Sequence, residues 1–321
     1  MYQLAALTFI LSMTAAGIPA QRLTPAQHAR AGWEAIDAGK FREAADAFAE
    51  ALRGVPQEPT VTLGAGVAAH RLGHADTARR YLLDTLRLAP TLTAASVLLG
   101  DILYRAGDIR GAIQTYEQAL VHAPDEEVLT SRLNTWRSEA ALHDRFGQKF
   151  GDHFTVLFEG PAEAALAQTA VDVLEAAYWR IGAALYTYPA EPITVVLYTR
   201  EQFRDVTQSP DWAGGAYDGK IRVPVQGAMK NPREFARVLA HEFTHALVKS
   251  IAPRGVPQWL NEGLALYFEG SDTPRQIERL ATAESKHPLT KLEGAFSGMD
   301  KAGAALAYAQ SAAAVKLLMD E

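Results

Sequence analysis

The chain has 321 residues, with 31 Lys and Arg against 37 Asp and Glu, a net charge of -6 and an apolar fraction of 48%. At roughly 100 to 200 residues per domain this gives room for two domains with ordinary cores and excludes wholesale disorder, while the acidic balance offers no footprint for a polyanion, so nucleic-acid binding is not expected. There is no Cys, which removes disulfides, thiolate nucleophiles and Cys metal sites, so any metal must rest on His and carboxylates.

Met1 to Ala20 carries no charged side chain. Its apolar core, Leu4 to Leu11, runs into the small residues Thr14 to Ala20 and then into polar Gln21-Arg22. This predicts a secretory signal over residues 1–20, cleaved near Ala20, and an exported protein, periplasmic or extracellular. An uncleaved anchor is the alternative reading, since the segment lacks Lys and Arg and is of borderline spanning length. It would be the one membrane association expected, because no other apolar run reads as long enough to span a bilayer.

Between residues 24 and 125 six positions recur at a spacing of 34. Gly32, Gly66 and Gly100 align, as do Gly39, Gly73 and Gly107; Ala44, Ala78 and Ala112; Phe48, Leu82 and Tyr116; Leu52, Leu86 and Leu120; and Pro56, Pro90 and Pro124. Each unit reads as a helix, a turn at the second Gly, a second helix with its Ala and large apolar residue facing inward, and a Pro stop. The small residues let the paired helices approach closely. The pattern resembles the tetratricopeptide repeat, with three full units, which implies an all-α solenoid whose groove takes a protein or peptide partner; a rigid spacer is the other reading. His70 and His74 are four apart, but Gly73 puts a turn between them, so they are no helical metal pair.

Residues 126–147 read as a capping and linking helix, and residues 148–321 as a second, α+β domain with strands first and helices after. His153 to Phe158 and Ile193 to Tyr198 have strand character around a long helix, Ala162 to Ala184. Asp218-Gly219, between alternating residues, predicts a tight hairpin. From Asn231 onward the pattern is helical almost to the end.

Asn231-Pro232-Arg233-Glu234 is a helix start, with Asn as N-cap and Pro at the first helical position. That helix contains His241-Glu242-Phe243-Thr244-His245. Residues four apart sit about 40° apart around a helix axis, so both imidazoles project from one face and can grip one cation. Glu242, adjacent, can accept a proton from a water held there without being a ligand. A zinc site of this kind needs a third protein ligand and leaves a fourth position for water. Seventeen residues after His245 stands Glu262, in Trp259-Leu260-Asn261-Glu262-Gly263. A second helix started by Pro257 can fold it back over the two His, with Gly263 letting the two helices come close.

The two motifs together resemble the gluzincin metallopeptidases, the aminopeptidase-N-like enzymes among them. The resemblance implies Zn2+ held by His241, His245 and Glu262, with Glu242 as general base in peptide-bond hydrolysis of a peptide or protein substrate. In relatives a Tyr or His on a later helix stabilises the oxyanion; Tyr308 is the candidate by position, with Tyr267 and His287 behind it. Relatives also hold substrate as an added strand on a sheet edge, expected here at Gly215 to Val225, with Gly215, Ala216 and Tyr217 as binding residues. Two departures limit the analogy. Gly227 to Asn231 is similar to the aminopeptidase motif that captures a free amine, but Lys230 takes the acidic place, so exopeptidase specificity does not carry over and the segment reads as a helix entry. Leu266 stands where some relatives have a carboxylate four residues past the glutamate ligand, leaving the group that orients the imidazoles unassigned. The chain also stops soon after Tyr308, where related domains continue with further helices, so a fragment of a longer protein is an open reading. The other function class left open is a non-catalytic repeat scaffold with a degenerate peptidase domain, though retention of Glu242 argues against it.

Overall fold

Gly39, Gly73 and Gly107 adopt positive φ of 71°, 83° and 86°, a conformation that glycine takes without strain. Each ends one helix of a pair and turns the chain into the next. The pairs are α1 (Pro25–Asp37) with α2 (Phe41–Gly54), α3 (Pro59–Arg71) with α4 (Ala75–Leu88), and α5 (Thr93–Arg105) with α6 (Ile109–His122). The recurring Ala44, Ala78 and Ala112, and the recurring Phe48, Leu82 and Tyr116, are all fully buried. The first Gly of each unit faces the large side chain of its own second helix. A Cβ on Gly32 would come within 2.8 Å of the Phe48 ring, on Gly66 within 3.2 Å of Leu82, and on Gly100 within 2.3 Å of the Tyr116 ring. Tyr116 cannot swing aside, because its hydroxyl is engaged with Val97 O and Asp101. Gly100→Ala is therefore expected to destabilise the solenoid by about 1–3 kcal/mol through overpacking, read from urea unfolding.

This computed structural model describes residues 23–189, 191–207, 214–225, 231–270, 280 and 286–320. The expected signal at residues 1–20 lies outside them, as do residues 227–230 of the amine-capture resemblance.

Helix α7 (Glu127–His143) closes the solenoid and leads into the second half. There a five-stranded sheet has the order β1 (Gly147–Phe150), β2 (Phe154–Phe158), β3 (Ile193–Tyr198), β5 (Ile221–Pro224), β4 (Ala216–Tyr217). The two edge pairs are antiparallel, whereas β2 with β3 and β3 with β5 run parallel. Parallel neighbours need crossovers, supplied by α8 (Ala164–Leu185) and by the segment holding α9 (Arg200–Thr207). The expected order of strands first and helices after is thus corrected to an alternation up to β5. Strand β1 and helix α9 went unread because β1 has one apolar residue, Phe150, and that ring is exposed, while α9 buries Phe203 alone.

Period-two alternation gives the sheet two covered faces. Phe154, Val156, Val195, Leu197, Ile221 and Val223 point to α8 and α10 (Pro232–Ile251). Val196 and Tyr198 point the other way, to Leu142, Phe146 and Phe203. Helices α11 (Gln258–Phe268) and α12 (Lys301–Asp320) complete the domain. By length and composition α12 could cross a bilayer, which corrects the reading that no later run is long enough. Here it packs on α11 instead: a Cβ on Gly263 would meet Ser311 O at 2.5 Å. Gly263 therefore serves the approach of α11 to α12, not the expected approach of α11 to the helix bearing the two His.

The same alternation turns Arg222 of β5 toward the solenoid, where it is fully buried. Its guanidinium donates to Glu139 of α7 at 2.9 Å, to the Tyr198 and Tyr104 hydroxyls at 2.8 Å each, and to Asp218 at 3.1 Å. Glu139, equally buried, also takes the Tyr104 hydroxyl at 2.5 Å and the Lys220 ammonium at 3.4 Å. The Tyr198 hydroxyl, which accepts from Arg222, also meets His143 Nε2 at 2.6 Å. This bond suits a neutral imidazole, and burial pushes the His143 pKa down to about 4. Gly219, at φ 110°, lies against the Arg105 backbone. Repeat three and α7 thus grip the hairpin that carries β4.

Candidate functional site

Helix α10 opens as expected: the Asn231 side chain accepts from Glu234 N at 3.2 Å, and Pro232 takes the first turn. Its face carrying His241 and His245 looks across to α11, which returns after a loop turned by Gly255 at φ 89°. There Glu262 Oε2 stands 3.6 Å from His241 Nε2 and 3.8 Å from His245 Nε2, and the three donor atoms lie within 4.8 Å of one another. Glu262 Oε1 is occupied, accepting from Gln258 Nε2 at 2.7 Å, so Oε2 is the oxygen left to face the imidazoles.

The residues that orient the rings were not found from sequence. His241 Nδ1 meets Glu269 Oε2 at 2.7 Å, and Glu269 Oε1 accepts from Arg237 at 2.6 Å. His245 Nδ1 meets Asn261 Oδ1 at 3.1 Å. Two signals for them were present: Glu269 follows Glu262 by seven residues, two turns along the same helix face, and Asn261 sits inside the second motif. Leu266, where a carboxylate was sought, is buried. Glu269→Gln is expected to weaken metal binding about 10- to 100-fold, since the partner that orients a ligating imidazole is worth about that much; a competition titration with a chelating dye reads it.

Glu242 is buried, and burial is the first cause that pushes its carboxyl up to about 7, with Glu262 and Glu269 adding to it. Burial also opposes charge on His241, but its bonds to Glu262 and Glu269 outweigh that and raise it to about 10. Burial keeps His245 low. The wall beside Glu242 is Gly215: a Cβ there would come within 2.7 Å of the Glu242 carboxylate. Gly215 leads into β4, the edge strand of the sheet.

One cleft of about 480 Å³ is lined by Gly215, Ala216, Tyr217, His241, Glu242, His245, Glu262 and Tyr308 together. Every residue expected at the site therefore meets in one place. Tyr308 arrives on α12, its ring edge-on to Phe296 at 5.4 Å, so it is partly packed and partly presented to the cleft. Burial, then Glu262 and Glu242, push its hydroxyl up to about 12. The two reserve candidates lie elsewhere: Tyr267 packs against the sheet core, and His287 is engaged by Gln310 and Gly303.

Residues 174–321 match the Peptidase MA superfamily, and residues 30–93 and 71–127 match the tetratricopeptide repeat. The second half is a Peptidase MA superfamily domain preceded by tetratricopeptide repeats. The peptidase MA match begins inside α8, whereas the sheet of that domain begins at Gly147. No curated protein matches the chain. Similar solved structures include the first TPR of Spaghetti (RPAP3) bound to an HSP90 peptide, 20% identical, covering 37% of this chain and 96% of that one, with a TM-score of 0.35. Another is a mutant O-GlcNAc transferase of Thermobaculum terrenum, 21% identical, covering 38% of this chain and 23% of that one, with a TM-score of 0.34.

Proposed function

We propose that the protein is a zinc-dependent peptidase whose repeats recruit a peptide or protein partner. The observation that carries this reading is the convergence of His241, His245 and Glu262 on one point, beside a buried Glu242 and the edge strand β4. The donor set suits zinc: two imidazole nitrogens and one carboxylate oxygen, leaving room for a fourth ligand. Both Nδ1 atoms are engaged with oxygen acceptors, which directs Nε2 of each ring to the cation. When bound, zinc lowers the pKa of a coordinated water and polarises the scissile carbonyl.

The chain supplies the rest. Glu242, poised near neutrality, takes the proton of the attacking water and returns it to the leaving amine. Tyr308, held protonated, donates a hydrogen bond to the developing oxyanion. Residues 215–217 offer main-chain groups on the edge of β4, against which a substrate backbone pairs as an added strand. Such pairing tolerates many side chains. Gly215 lets that strand pass directly over the carboxylate, which a side chain there would displace. The uncharged segment at residues 1–20 supports export, to the periplasm or the exterior.

The test is zinc stoichiometry on the mature protein, together with cleavage of an unbiased peptide library. One zinc per chain, with cleavage abolished by a chelator and restored by zinc, is the expected result. Tight zinc binding without cleavage of any peptide overturns the reading in favour of a scaffold.

A further inference from the structure

Glu262 is the carboxylate that faces both imidazoles, and its two oxygens have different neighbours. Oε2 stands 3.6 Å from His241 Nε2 and 3.8 Å from His245 Nε2, whereas Oε1 accepts from Gln258 Nε2 at 2.7 Å. Gln258 precedes Glu262 by one turn of α11, so the two side chains share a helix face. Its own place is fixed from outside the helix. As the first residue of α11 it donates its backbone N–H to Glu293 O at 3.0 Å, beside the fully buried Leu292. The amide that reaches Glu262 is therefore carried by a tethered residue, and it lines the cleft together with His241, His245 and Glu262.

A carboxylate can give a cation one oxygen or both. With Oε1 held in a hydrogen bond, one oxygen is left to join the two imidazoles, and a four-coordinate cation keeps a position for water. The type of donor matters as much as its place. A Lys or Arg could hold Oε1 equally well, but its charge would offset the one that makes the carboxylate a good ligand, and an Asp or Glu would repel it. A neutral amide fixes the oxygen and leaves the charge to the cation.

We propose that Gln258 is a positioning residue that restricts Glu262 to ligation through one oxygen and so keeps a coordination position open to water. The proposal rests on the peptidase reading of the site. It gives Gln258 a part in setting the coordination number, distinct from the orienting of the rings by Glu269 and Asn261.

The test loads the full chain with Co2+ in place of zinc and reads geometry from its visible absorption, which is strong at four-coordinate sites and weak at five- or six-coordinate ones. Gln258→Met keeps the length of the side chain and removes the donor. Its cobalt band is expected to fall to about half or less with one metal per chain still bound. On zinc, kcat should fall about 10- to 100-fold while KM holds. Gln258→Lys returns a donor and adds a charge, so its band should recover the parent intensity while its metal affinity drops about tenfold. A side chain that served only to stabilise α11 would not separate band from affinity in this way. Gln258→Leu gives the same reading as Gln258→Met if the latter folds poorly. An unchanged band in the Met and Leu variants, an equally low band in Gln258→Lys, or a parent band already of five- or six-coordinate strength overturns the role of Gln258 and leaves the peptidase reading intact. A band that falls as expected in a protein whose parent cleaves no peptide leaves that role standing and removes the peptidase reading instead. A parent that binds neither cobalt nor zinc overturns both.

Discussion

Glu242→Gln is expected to lower kcat by about 10²- to 10⁴-fold while zinc stays bound at one per chain. The substitution keeps the volume of a buried side chain at the wall of the cleft, so the Gly215 contact beside it is undisturbed. What it removes is a carboxyl that burial pushes up to about 7, close enough to neutrality to take a proton and give it back. His241, His245 and Glu262 keep their geometry, because their supports are Glu269, Asn261 and Gln258 and not Glu242. Glu262→Ala separates the two roles: it should lose the metal first and activity as a consequence. Measuring kcat beside zinc content in both variants decides the matter, and unchanged turnover in Glu242→Gln would sink the assignment of the base.

The largest stability effect is expected at Glu139. Glu139→Ala leaves Arg222 and Lys220 buried, with half-exposed Asp218 as the one remaining acid beside Arg222 among the described residues. Removing one partner of a buried ion pair typically costs about 3–5 kcal/mol, because the surviving charge has lost both water and its counter-ion. The Tyr104 hydroxyl loses its acceptor at the same time. Replacing all three charges together by apolar residues, as in Glu139→Leu with Lys220→Met and Arg222→Met, should recover most of the loss. Urea unfolding of the single and triple variants checks both halves of the argument. A single variant within 1 kcal/mol of the parent would show that water reaches Arg222 in solution.

The solenoid was legible because its signals are local and repeated. Gly100 and Tyr116 are sixteen residues apart in sequence and in contact in space, and the same offset recurs in each unit. The zinc-binding candidates were legible because helical periodicity brings His241 and His245 to one face, and because a second motif carried Glu262. The orienting groups were not: Glu269 is recognisable once α11 is known to extend to Phe268, and the sequence reading did not fix that end. Arg222 was invisible for a different reason. A lone Arg in Ile221-Arg222-Val223 reads as the solvent face of a strand, and only the docking of α7 on that face, with Glu139 opposite, turns it inward. The parallel pairing of the sheet was missed because crossovers are a long-range property, and the short β1, with Phe150 its one apolar residue, shows no alternation to announce it.

The hairpin grip has a practical consequence for how the chain can be cut. A boundary near residue 147 is reasonable from the repeat count, yet Glu139 lies before it and Arg222 after it. A peptidase half expressed alone would bring a bare guanidinium and ammonium to a newly wetted face, with β4 anchored at only one end. Heating the intact protein should accordingly give one calorimetric transition in place of two, so that solenoid and peptidase domain survive or melt as a single body.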